Sequence, residues 1–354
     1  MDVFKDILAA LSGVLNGLPQ GILAMSFGFA TVPTALAFIT GVIGNTAVGS
    51  VAPISFQAET ITLAGTLGKN MRERLSMVFF GASIMLVIGL FGLLEKIIDF
   101  IGPVITSGMM AGVGIMLTKV SLDMANKNKW VGYSSIVVAF ITYMVTKDLV
   151  YAIALSVFIS SGIAFFRRRD VQSVAPQGEK FALQKFVINP MVIRGALAMV
   201  TLNIGANIAF GQITGDIAGM DVNIDHLTVI SSLADMASSM FGGAPVEAII
   251  SATASAPHPV WSGVLMMAVI AAILLAGWLP KIGKYIPSES ISGFLIVLGA
   301  VVTVPGNAAD ALLGDEWSGG IVGGVTMTVT ALTDPFIGMV AGILMKYVVA
   351  LVGV

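Results

Sequence analysis

Residues 8 to 50 carry no charged side chain. A run of that length is too long for one buried core, and at about 20 apolar residues per crossing it supplies two transmembrane helices. The pattern continues down the chain: 56% of the residues are hydrophobic, 11% are charged, and the mean hydropathy is +0.96. Soluble domains lie far from these values. The chain therefore reads as an all-α polytopic membrane protein. Met1 to Asp6 carry both charge signs and no small-residue cleavage site follows, so the first apolar run is expected to be retained.

The break at Val32-Pro33 divides the opening run into helices near 10–31 and 34–50. A short segment follows at about 51–67, ended by Gly68 and the charged turn Lys69 to Arg74. Further segments are predicted at 75–94, 101–123, 130–147 and 149–166, with an amphipathic piece from Glu95 to Phe100. The one long polar connection, 167–190, contains Arg167-Arg168-Arg169-Asp170 and Pro176 to Lys180. After it come 191–212, 226–242, a short segment at Pro245, and 260–279, 288–306, 318–335 and 337–353. Residues 1–166 and 191–354 thus hold seven segments each.

Matches at constant offset suggest that the halves are repeats. At an offset of 185, Lys96-Ile97, Ile101, Ser107-Gly108 and Gly114 meet Lys281-Ile282, Ile286, Ser292-Gly293 and Gly299. At 174, Gly21 to Met25 meets Gly195 to Met199, and at 192, Ala52-Pro53 meets Ala244-Pro245. An odd number of crossings per half makes the second copy inverted. The expected architecture is fourteen transmembrane segments in a 7+7 inverted repeat, with the short third and tenth segments meeting at the midplane.

In such folds ligands bind where two broken segments leave backbone groups free. Proline blocks helix on its N-terminal side, so each short segment should enter extended and turn helical after Pro53 or Pro245, aiming free N–H groups inward. A carboxylate within the membrane costs a few kcal/mol, which makes Glu59 and Glu247 candidates for function. The structural alternatives are that Glu59 lies near the outer end of its helix and that Glu247 caps a first turn. Gln57, Ser251 and the Asn203/Asn207 pair on one helix face join the candidates, with Asp235 as a supporting partner. Helix-to-helix hydrogen bonding is the alternative for the asparagines. No cofactor or metal is expected: there is no cysteine, and His226 and His258 read as separate loop residues. A net charge of −2 gives no reason to expect nucleic acid.

Several stretches resemble the nucleobase-cation symporters, the uracil, xanthine and adenine/guanine/hypoxanthine permeases. They are Ala24 to Pro33, Ile204-Gly205 with Gly211-Gln212-Ile213, Phe241 to Pro245, Phe56 to Ile61, and Ile286-Pro287 to Gly299. The resemblance implies a core (about 10–94 and 191–279), a gate (about 95–166 and 280–354), movement of one against the other, and sometimes a homodimer through the gate. It also implies substrate and proton sites between the two short segments; on the residues present, substrate contacts are expected at Phe56, Gln57, Ala58, Glu59, Asn203, Pro245, Glu247 and Ser251, with Glu59 or Glu247 coupling to a proton or cation. The sequence departs from that family where it has Leu202 in place of an acid, Ala206 in place of a uracil-permease histidine, and Ser251 in place of a glutamate.

The charge pattern bears on orientation. Connections after odd-numbered segments hold fourteen of the eighteen Lys and Arg, and the even ones hold Lys96 and Lys147. The positive-inside rule then places both termini outside, whereas the resemblance implies termini inside. The expected activity is secondary transport of a purine or related nucleobase across a bacterial or archaeal inner membrane. The alternative is an anion transporter or channel of the sulfate-transporter architecture. No ATP-binding loop and no catalytic constellation is present, so an enzyme is not expected.

Overall fold

The computed structural model describes residues 2–166, 181–283, 285–313 and 317–352. Most of the polar connection, including Arg167-Arg168-Arg169-Asp170 and Pro176 to Lys180, lies outside the described residues.

The first half runs α1 (Asp2–Ser26), α2 (Thr31–Val48), β1 (Ile54–Ser55), α3 (Ala58–Leu67), α4 (Met71–Leu90), α5 (Leu94–Ile101), α6 (Pro103–Lys127), α7 (Lys129–Thr146) and α8 (Leu149–Phe166). The second runs α9 (Pro190–Ala218), α10 (Ile224–Ser239), β2 (Glu247–Ala248), a 3-10 turn (Ala252–Ser255), α11 (Pro259–Leu275) and α12 (Trp278–Gly283). Its twelfth segment is composite: a 3-10 turn (Ser288–Ile291), α13 (Ser292–Ile296), a π-helix (Val297–Thr303) and α14 (Val304–Leu312). It ends with α15 (Trp317–Leu332) and α16 (Pro335–Val352). Fourteen segments are present among the described residues, and α5 and α12 are the short helices between the fourth and fifth and the eleventh and twelfth.

Two expectations need correction. The first helix begins at Asp2, not near residue 10. The break after it falls at Phe27 to Ala30, where Gly28 takes φ +90°, and not at Val32-Pro33. Pro33 sits in the first turn of α2, where the N–H it lacks would have no intrahelical partner.

The polarity of the helices fits a lipid solvent. On α8, Ser156 and Ser160 are buried while Phe158, Phe165 and Phe166 are 76–85% exposed. Seven helical stretches among the described residues are long and apolar enough to cross a membrane.

Of the described residues, 2–94, 181–196 and 206–288 form one compact unit, and 95–166, 197–205 and 289–352 form a second. In the first unit α2 packs on α11 and α4 on α10; in the second α6 packs on α15 and α7 on α13. Exchanging the halves turns each contact into its partner, as an inverted repeat requires. The offset of 185 has a physical counterpart in the second unit. A Cβ on Gly299 would lie 2.5 Å from the Gly114 carbonyl oxygen, and one on Gly114 would lie 3.0 Å from the Gly299 oxygen. Likewise Gly108 packs against Gly323 and Thr326 on the thirteenth segment, and Gly293 against Ser135 on the sixth. Small residues let membrane helices approach this closely.

Hydroxyls fasten the composite segment. Ser121 on α6 donates to the Ser292 carbonyl at 2.7 Å, Ser135 on α7 donates to that of Ser290 at 2.6 Å, and Ser135 accepts from the Gly293 N–H at 3.1 Å. In the first unit an extended strap, 181–189, precedes α9. Arg72 donates to the Lys185 and Phe186 carbonyls, Val187 N–H donates to Ser76, and the Phe186 ring stacks on Phe79 at 4.2 Å. Asn189 caps α9 by accepting from Val192 N–H at 2.8 Å, while its amide donates to Glu73 at 3.1 Å.

Candidate functional site

The two proline segments meet. Strands β1 and β2 pair antiparallel, Ile54 opposite Ala248 and Ser55 opposite Glu247. Ile249 N–H reaches the Pro53 carbonyl at 3.1 Å, and proline can return no bond, so the ladder ends there. At the repeat offset of 192, Ser55 and Glu247 are equivalent residues. The pseudo-twofold relation therefore passes through the one pair that sets a hydroxyl opposite a carboxylate.

Both segments are extended at their prolines, but neither turns helical directly after its proline as expected. Helix α3 begins five residues after Pro53. After Pro245 the chain continues as β2, with only the 3-10 turn beyond it. Glu247 lies in a strand and caps no helix. Nor are the flanking backbone groups free for a ligand. Ala244 N–H donates to Thr34 at 2.8 Å, Val246 N–H donates to Asp235 at 2.7 Å, and the Ala52 carbonyl accepts from Asn45 at 2.7 Å. Extended backbone in an apolar setting needs partners, and α2 and α10 supply them. The donors that remain are the first-turn N–H groups of α3, which no helix can satisfy internally.

Helix α1 closes over the pair. Its glycines at positions 13, 17 and 21 recur one turn apart, and a Cβ on them would come within 3.2 Å of Ser251, 2.8 Å of Ser55 and 3.0 Å of the Phe56 ring. Phe56 also meets Phe38, centroids 5.2 Å apart, so its ring is held by protein.

The expected carboxylates come together here. Glu59, in the first turn of α3, is 6% exposed and Glu247 is 1% exposed. They lie within electrostatic reach of each other, and Asp235 lies within reach of Glu247. One oxygen of Glu59 and both of Glu247 are buried without a hydrogen-bond partner. The Thr60 hydroxyl faces Glu247 without closing a hydrogen bond. Ser55 adds one more buried oxygen without a partner, and Asn16 and Gln20 on α1 each carry another. No Lys, Arg or His is buried among the described residues, and no group of three metal-ligating side chains is found among them.

The other expected residues divide. Gln57 precedes α3 and makes no cap bond, and Ala58 and Pro245 are buried beside the pair. Ser251 is occupied locally, accepting from Thr253 N–H at 3.2 Å and facing the Met266 sulfur. Asn207 donates to Thr228 on α10 at 3.2 Å, which is the helix-to-helix role. Asn203 belongs to the stretch of α9 that packs in the second unit and has a buried oxygen without a partner. The histidines are not simple loop residues: His226 is in the first turn of α10, and His258 bonds Asp6 through both its backbone N–H and its ring, each at 2.9 Å. Ser55 was missed as a residue of the pair, because a lone hydroxyl in apolar sequence gives no signal of what it faces.

No protein-family model matches the chain, and no curated protein matches it. Solved structures do. The murine Solute Carrier 26 family member A9 anion transporter, in its inward-facing state, superposes with a TM-score of 0.74 at 14% identity, over 99% of this chain and 69% of that one. A second SLC26A9 structure gives 0.70 at 14%, over 99% and 66%. The transmembrane domain of a cyanobacterium bicarbonate transporter, BicA, gives 0.69 at 13%, over 96% and 98%. The chain thus spans about two thirds of the SLC26A9 chains and nearly all of the BicA domain. It is a multi-pass membrane protein with the fold of these transporters.

Proposed function

We propose that the protein is a secondary transporter, not an enzyme, and that it carries a small anion together with a proton or another cation. The observation that carries this reading is the pair Glu59 and Glu247, both buried, within electrostatic reach of each other, incompletely bonded and without a buried basic partner among the described residues. An anion entering beside two ionised carboxylates is repelled, and Coulomb energies in such surroundings amount to several kcal/mol at contact distance. Binding therefore requires that positive charge arrive too, and the α3 N-terminus offers donors to the anion.

The fold shared with an anion transporter and a bicarbonate transporter supports an anion over a nucleobase as cargo. So does Phe56, because a ring packed on Phe38 and Gly21 has no free face on which to stack a base. The test is uptake into proteoliposomes of labelled bicarbonate, chloride and sulfate against adenine and xanthine, with and without proton and sodium gradients. Accumulation of an anion that depends on one of the gradients is the expected result. Accumulation of a purine with no anion uptake would overturn the reading.

A further inference from the structure

We propose that Asp235 is a positioning residue of the site, acting as the hydrogen-bond acceptor that holds β2, and through it Glu247, in place. The proposal rests on the reading above that Glu247 serves transport. Along a strand, successive N–H groups point to opposite edges. The edge of β2 that faces β1 is used by the ladder, ending with Ile249 N–H on Pro53. Val246 N–H, on the other edge, has no strand beside it. Asp235 on α10, 2% exposed, fills that role at 2.7 Å. A two-residue strand has too few ladder bonds to hold itself, so its outer edge must be fixed from elsewhere. Thr34 does the same for Ala244 two residues earlier. The segment that bears Glu247 is thereby suspended between α2, α10 and β1, with no helix of its own until after Ser251.

A carboxylate can hold an N–H by its charge or by its geometry, and the two make different variants tolerable. Asp235→Asn keeps an oxygen acceptor of the same shape and removes the charge; Asp235→Ala removes both. Two measurements are made on each full-length variant in lipid nanodiscs and proteoliposomes: amide hydrogen exchange over residues 243–251, and anion uptake resolved into KM and maximal rate. Asp235→Asn is expected to keep wild-type protection and KM. Asp235→Ala is expected to exchange about tenfold faster or more over this segment, with a raised KM. If Asp235→Asn behaves as Asp235→Ala does, the charge is what matters and the proposal falls; it falls equally if Asp235→Ala keeps full protection. Should Asp235→Ala not fold, Asp235→Asn alone still decides between acceptor and charge. Should the wild type carry no anion, the exchange data still report on Asp235, so the two readings fail separately.

Discussion

Replacing Gly299 by alanine is expected to destabilise the second unit, although alanine ordinarily stabilises a helix relative to glycine by about 1 kcal/mol. The added Cβ would sit 2.5 Å from the backbone oxygen of Gly114, and ordinary contact begins at 3.4 Å, so the segments must part by about 0.9 Å. Backbone cannot rotate aside as a side-chain end can. A gap of about 0.5–1 Å forfeits a quarter to a half of the dispersion energy of the atoms beside it. The expected cost is about 1–3 kcal/mol. Gly114→Ala meets the Gly299 oxygen only at 3.0 Å, and its nearer neighbour, at 2.8 Å, is a Val304 methyl at a side-chain end that can give, so it should cost less. Because both substitutions are relieved by one movement, the double variant should lose less than the sum of the two. Thermal and chemical denaturation of the detergent-solubilised protein measures all three. Gly306→Ala and Gly162→Ala, whose added carbons would meet nothing within 4 Å, serve as controls. A Gly299→Ala protein as stable as these controls would refute the reciprocal packing of Gly114 and Gly299.

Glu59→Gln and Glu247→Gln each remove a charge while keeping shape. At least one should abolish gradient-driven accumulation and spare anion exchange, and normal accumulation in both would remove the carboxylates from coupling. Asn45→Ala leaves the Ala52 carbonyl without its 2.7 Å bond, an expected loss of about 1–3 kcal/mol readable as a lower melting temperature.

The class and segment order were legible because the bilayer sets the length of every apolar run, and the repeat was legible because its glycines are constrained by contact. Gly108, Gly114, Gly293 and Gly299 could be aligned before anything was known of what they touch. The local form of the two short segments was not legible. A proline governs its own φ and the residue before it, but whether helix comes next depends on what the next residues find. Ile54 and Ser55 find Ala248 and Glu247, far along the chain, and that pairing delays one helix and replaces the other. Pro33 misled for a related reason, since a proline marks a helix start as readily as a break. Glu59 and Glu247 stood out as charges in apolar sequence. Ser55 did not, because the facing of an uncharged polar side chain is set by tertiary neighbours such as the glycine face of α1.

Asn189 ties the start of the second half to the first. Its carbonyl oxygen starts α9, and its amide is held by Glu73, a residue made long before it. With Arg72 and Ser76 gripping the strap just ahead, the point from which the second half departs is fixed by a helix of the first half. A fault at Glu73 would therefore be felt first at the start of α9.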